Sequence, residues 1–151
     1  MTKPDSFTIR VYGLLIVDHQ VLLSRENIYG NIYTKFPGGG LELGEGVVDC
    51  LEREMMEEAG IRIIKWELFH INEHFLASTF HKSKQVLSIY YRIWSDEISQ
   101  IKTSNPEDST ILKAHSDQLL YWASLNTLTD EPIHLPIDRE VVRLISQRNK
   151  G

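Results

Sequence analysis

The apolar positions of this chain recur with a strand-like spacing that gives way twice to a helical one. Residues 7–17 (FTIRVYGLLIV) are rich in β-branched and aromatic side chains and read as a strand. Asp18-His19-Gln20 reads as the turn into a second strand, Val21 to Arg25. Asn27 to Asn31 reads as a loop tip, and Ile32 to Phe36 as a short extended segment ending at Pro37. Gly38-Gly39-Gly40 is expected to be irregular backbone, since three glycines weaken any regular element.

The first helical run is Gly46 to Ala59. At 100° per residue, Val48, Leu51, Met55 and Ala59 share a stripe about 80° wide. Gly60 follows where a C-terminal cap belongs. Ile61 to Phe69 and Gln85 to Trp94 read as strands, the second too continuously apolar for a sheet edge. Glu73 to Lys84 between them reads as a hairpin connection or a bulged strand. Ser95 to Ser116 is polar, is broken by Asn105-Pro106, and reads as a long loop of the kind that often carries function. Gln118 to Ala123 is a last strand, and Ile137 to Gln147 an amphipathic helix with Val141, Leu144 and Ile145 inward. Two helices among strands indicate an α/β or α+β sandwich, a single domain over residues 1–151.

Composition narrows the function classes. Hydrophobic residues at 42% and charged residues at 25% suit a globular chain. No apolar run reaches 18 residues, so no membrane span is expected. The first six residues lack the apolar stretch of a secretory leader. Cys50 is the one cysteine, which forbids an intrachain disulfide and fits a reducing cytoplasm. The net charge of −5 gives no general attraction to nucleic acid or anionic membrane. Were phosphates the ligand, a divalent cation would have to reverse the local sign.

The first helix raises that prospect. Glu54 and Glu57 are three apart, and Glu54 and Glu58 four apart, so all three share one face. Like charges at these spacings each cost a few tenths of a kcal/mol, about 0.2–0.5 per pair. Glu57 and Glu58 also sit at the helix C-terminus, whose dipole disfavours anions. A hard, oxygen-seeking ion such as Mg2+ would relieve the penalty. Taken alone, the trio reads as a solvated acidic face, as charge runs usually do.

The surrounding letters change that weighting. Gly39, five residues, Glu45, seven residues, Arg53-Glu54-Met55, one residue, Glu57-Glu58, one residue, Gly60-Ile61 resembles a complete Nudix box. Seven fixed letters and two apolar positions match; at average residue frequencies of about 6%, chance would give this less than about once in a million such chains. Phe36-Pro37-Gly38-Gly39-Gly40 resembles the family's lead-in, and Trp122-Ala123-Ser124-Leu125 its late tryptophan segment. Thr34, where an aromatic often stands, and Asn126-Thr127, where an acidic pair is common, depart from the pattern outside the box.

The resemblance implies an α/β/α sandwich around a mixed sheet, and hydrolysis of a nucleoside diphosphate linked to another moiety, of the nucleoside triphosphate or nucleotide sugar type. It implies Mg2+, with Mn2+ able to substitute, and a small-molecule nucleotide as partner; a homodimer stays open. Glu54, Glu57 and Glu58 become metal ligands, one of them a candidate general base, and a carbonyl of Gly38 or Gly39 a further ligand. Arg53 becomes the residue that holds a carboxylate in place, and Glu45 a structural one. Arg25 and Lys35 are candidate phosphate contacts, with a salt bridge as the alternative for Arg25. Glu97 is a candidate further acid, as are Glu107 and Asp108, against plain loop residues. His70, His74 and His81 read better as hairpin surface than as a zinc site, with His81 or Glu73 as candidate pocket walls. Tyr12, Tyr90 and Tyr91 read as core before base-stacking residues, and Cys50 as an inert thiol. The competing function is a catalytically silent nucleotide-binding module, which an intact box disfavours.

Overall fold

A computed structural model describes residues 3–108 and 110–149. Strands β1 (Ser6–Val17), β2 (Gln20–Ile28), β3 (Asn31–Lys35) and β4 (Gly38–Gly40) precede helix α1 (Val47–Ala59). Strands β5 (Lys65–Ile71), β6 (Lys84–Trp94) and β7 (Gln118–Ser124) follow, and helix α2 (Pro136–Asn149) closes the chain. The sheet runs β3-β2-β1-β6-β5, with β4 also on β1 and β7 also on β2. It is mixed, because β1 and β6 are parallel while the other pairs are antiparallel.

β1 carries no charged residue from Val11 to Val17 because both faces of that stretch are covered. Val11 and Leu15 pack with Leu51 and Met55 of α1, while Tyr12 and Leu14 pack with Val141, Val142 and Ile145 of α2. The same alternation runs through β2, where Leu22 faces α1 and Val21 and Leu23 face α2. One helix on each face of a mixed sheet gives the expected sandwich. β6 lies between β1 and β5, an interior place that its continuous apolar run required.

Local chemistry explains the turns. Asp18 and His19 both have positive φ (50° and 61°), and so do Tyr29 and Gly30 (51° and 88°). Two such residues in succession make the tight hairpin whose twist matches its strands. The loop tip expected over 27–31 therefore shrinks to Tyr29-Gly30, and β2 extends to Ile28. α1 begins where the Gly46 amide donates to Asp49 Oδ2 (2.8 Å) and ends at Gly60, whose φ is 69°.

Several expectations need correcting. Gly38–Gly40 is a strand, paired with Arg10–Tyr12. Strand β5 begins at Lys65 rather than Ile61; Ile61 and Ile63 are instead buried beneath α1, where alternation without a partner strand still satisfies packing. Of the two readings of residues 73–84, the hairpin connection holds: the segment joins antiparallel β5 and β6, with a single bridge between Ala77 and Gln85, and Lys84 already opens β6. Residues 95–116 are the expected loop, with one 3-10 turn at Ile98–Gln100 and Ser109 outside the described residues. On α2, Val142 is buried and Leu144 only half-buried.

Candidate active site

β4 brings the glycines against β1, and α1 lies across them. A Cβ on Gly39 would come within 2.3 Å of Glu54 Oε1, so only glycine leaves room for that carboxylate. Gly38 has φ of 151°, and a Cβ there would meet the Val11 carbonyl oxygen at 2.2 Å. Its amide donates to Glu58 Oε2 (3.0 Å). Glu54 and Glu58 are thus pinned to consecutive residues of one short strand.

Arg53 fixes the other side. Its Nε and Nη2 form a fork on Glu45 (3.0 and 2.8 Å), Nη2 also donates to the Gly40 carbonyl (3.0 Å), and Nη1 donates to Glu54 Oε1 (2.9 Å). Glu57 lies 3.3 Å from the same Nη1. The guanidinium holds the Glu45 carboxyl down to about 2 and is itself raised by that bond. Planar, five-donor geometry permits this bridging where a lysine could not.

The three glutamates do not share one environment. Glu54 is buried and Glu57 has 57% of its side chain exposed. Burial pushes the Glu58 pKa up; Lys35 opposes the shift and Glu54 adds to it. Among the described residues, no three His, Cys, Asp or Glu side chains converge to cage an ion by themselves. One buried and one half-buried carboxylate against a glycine strand nevertheless suit Mg2+, which commonly takes one or two protein carboxylates and completes its shell with phosphate and water.

A cavity of about 250 Å3 has Arg10, Glu26 and Lys35 on its polar wall. No box carboxylate lines it; Lys35, which feels the charge of Glu58, and Arg10, which feels that of Glu54, link it to them. Burial would lower the Lys35 pKa, but Glu58, Tyr12 and Glu26 outweigh it and raise it. Lys35 Nζ lies 3.5 Å from Glu26. Arg10 is likewise raised against its burial, by Tyr12 and by the charges of Glu54 and Glu26. The cavity floor carries Tyr12 and Tyr90, stacked 4.9 Å apart, and His81 and Phe80 stand on its wall. A larger cavity, about 510 Å3, opens by Ile16, Arg92 and Arg148, and neither Lys35 nor Arg10 lines it.

The structure does not bring every candidate to this place. Arg25 shares a side of β2 with Leu23, on the α2 face, so the sheet separates it from α1. There its guanidinium donates to Thr34 Oγ1, the Pro106 carbonyl and Glu107, the salt-bridge alternative. Glu97 turns to the Arg62 amide (2.6 Å), bracing the exit from α1. Asp108 caps Thr110. His70 is no surface residue: it lies 3.7 Å from Glu140 of α2, with 16% of its side chain exposed. Cys50 is buried, not on the polar side, and burial pushes its thiol up to about 12.

Sequence reasoning missed Asp138. It is buried behind the cavity residues Tyr90 and Ile137, and accepts a hydrogen bond from the Tyr90 hydroxyl. Its Oδ2 has no partner among the described residues. An acidic residue in the first turn of a helix is ordinarily solvated, so only packing marks it. Burial raises its pKa to about 6, against the opposing bond from Tyr90. A raised acid favours the fold when protonated: its contribution is full below about pH 4 and is lost as pH rises through 6. Asp138→Asn is therefore expected to remove a stability loss on the order of 2–3 kcal/mol over that window. Urea midpoints of both proteins at pH 4 and pH 7 test this; equal pH slopes would refute it.

The NUDIX domain pattern matches residues 7–145, nearly the whole chain. The chain belongs to the NUDIX family. This Nudix chain is 35% identical over 60 residues to the 8-oxo-dGTP diphosphatase of Buchnera aphidicola, a stretch covering 40% of the chain and 48% of that relative. The match thus spans about half the length of the curated relative. A MutT structure from work on the Aliivibrio salmonicida and Vibrio cholerae proteins superposes with a TM-score of 0.64 at 17% identity, over 95% of this chain and 99% of that one. The Bacillus halodurans MutT gives 0.65 at 17%, over 92% and 82%. The ORF135 protein of E. coli gives 0.65 at 19%, over 96% and 93%. These three share the fold of this Nudix domain.

Proposed function

We propose that this chain is a magnesium-dependent Nudix hydrolase that cleaves a diphosphate linkage in a nucleotide. The observation that carries it is the Glu54–Glu58 pair, one buried and one half-buried, held against Gly38 and Gly39 and linked through Lys35 and Arg10 to the cavity whose wall they form. The nucleoside would occupy that cavity, with its phosphates directed to the carboxylates; Lys35 is the candidate phosphate contact, whereas Arg25 and Glu97 are engaged elsewhere.

Glu54 and Glu58 would hold the cation, and Glu57, next to them on Arg53, is placed to swing in as a third ligand or to accept a proton from water. Magnesium, when bound, neutralises charge on the phosphate oxygens and makes water a better nucleophile. Arg53 keeps Glu54 oriented, and the Gly38 amide does the same for Glu58. Mn2+ has the same oxygen preference and would replace Mg2+. The substrate class is a nucleoside triphosphate, as the Buchnera relative's name suggests, or a nucleotide sugar. A reducing cytoplasm belongs to this reading, since the one cysteine cannot form an internal disulfide.

Purified protein with Mg2+ is expected to release phosphate or pyrophosphate from at least one of a panel of nucleoside triphosphates, including 8-oxo-dGTP, and nucleotide sugars. Excess EDTA should abolish turnover, and Mn2+ should restore it. Nucleotide-dependent thermal stabilisation with no product from any member would replace the hydrolase with a silent binding module.

A further inference from the structure

The sheet ends on β5, which among the described residues has one strand neighbour, β6. Its outer rim therefore presents unpaired N–H and C=O groups, a template for another strand. Trp66 stands opposite Ile93 and Leu68 opposite Tyr91, so both side chains continue the apolar face covered by α1. They lie beyond its reach and remain 42% and 59% exposed. Lys65 and Glu67 alternate with them on the other face, each with 60% of its side chain exposed. A β-bulge between Leu68 and His70 ends the regular edge on one side, and Lys65 begins it on the other.

We infer that this edge pairs with β5 of a second copy of the chain, antiparallel, about a two-fold axis beside Trp66. A two-fold axis perpendicular to a sheet keeps every side chain on its own face, so it must pass beside one residue. Centred on Lys65 or on Glu67, it would set like charges against each other, which is unfavourable for directly opposed residues. Centred on Leu68, it would set Glu67 against Phe69 and Lys65 against Ile71. Centred on Trp66, it sets Trp66 against Trp66 on the apolar face and Lys65 against Glu67 twice on the polar one. Only this register matches charge to charge and ring to ring. The existing Lys65–Glu67 contact, 3.4 Å within one strand, then becomes a ring of four alternating charges. The regular edge from Lys65 to Leu68 lies at the small end of specific interfaces, so association depends on concentration.

Sedimentation velocity over the micromolar to submillimolar range is expected to show a monomer–dimer equilibrium. Lys65→Glu or Glu67→Lys should each weaken it about tenfold, and the double exchange should restore it. Both side chains are exposed, so melting temperatures should not change. Residues opposed in an antiparallel pair have Cα atoms about 4.5–5.5 Å apart, within disulfide reach. Trp66→Cys should therefore oxidise to a covalent dimer, and a mixture of Lys65→Cys with Glu67→Cys to a heterodimer, whereas Glu67→Cys alone should not. Cys50 is fully buried and does not compete. A wild-type chain that stays monomeric, a double exchange no better than either single one, or Trp66→Cys crosslinking no faster than Glu67→Cys would overturn the assignment.

Discussion

Glu58→Gln is expected to lower metal-supported diphosphate hydrolysis by about 10²–10⁴-fold while leaving the melting temperature unchanged or higher. Glutamine keeps the shape of the side chain, and its amide oxygen can still accept the Gly38 amide that now bonds Glu58 at 3.0 Å. What it removes is a negative charge that burial disfavours and that Glu54 disfavours further. Lys35 loses one neighbour and keeps Glu26 at 3.5 Å. The fold therefore tolerates the change and the chemistry does not. Steady-state kinetics with Mg2+ and a thermal melt on the same preparation test it. Full activity, or a collapse of the fold, would remove Glu58 from the reaction. Glu57→Gln should also lose activity, but with its side chain 57% exposed it should barely alter stability.

Arg53→Ala should cost both stability and rate. One guanidinium reaches Glu45, Glu54, Glu57 and the Gly40 carbonyl, tying the loop before α1, the helix and β4 together. Without it, Glu54 remains buried beside Glu58 with no hydrogen-bonded cation, only the more distant charge of Arg10. Removing one member of a fully buried pair costs about 3–5 kcal/mol. Arg53 keeps 26% of its side chain in solvent, so screening reduces the expected loss to about 2–4 kcal/mol. Arg53→Lys restores charge but not the fork, so stability should recover in part while turnover stays low. Urea denaturation of the three proteins decides the first point and kcat the second. An alanine variant within about 0.5 kcal/mol of the parent would show the network to be an ordinary surface one.

Helix α1 was legible almost to the residue, expected over 46–59 and found over 47–59. Its start, apolar stripe and glycine stop are all written within a few positions of one another, where local sterics and hydrogen bonding act. The hairpin turns at 18–19 and 29–30 were visible for the same reason, although the second proved tighter than its composition suggested. The interior place of β6 followed from an apolar run too long for a half-exposed strand.

The candidate site was legible only as a set of letters. The motif named Arg53, Glu54, Glu57 and Glu58, and helical spacing put the acids on one side, yet it could not say that Glu54 turns inward and Glu57 outward. That difference arises because β4 passes beside Glu54, and a triplet of glycines reads as irregular backbone until its pairing with Arg10–Tyr12 is known. Arg25 and Lys35 show the same division. Both lie on strands leading toward the box, but the pleat sends Lys35 to the carboxylates and Arg25 to the opposite side of the sheet.

The sequence by itself determined the alternation of elements, the limits of α1, the acid–arginine pattern and, through the motif, the family. Tertiary structure alone decided which acids are buried, the pairing of the glycine strand, the placing of Asp138 beneath the cavity and the bare edge of β5. Helix periodicity and capping are set by neighbours within about four residues, so they are written locally. Strand register and facing are set by partners far away in the chain; a one-residue slip would exchange the two faces while leaving the composition of every segment the same.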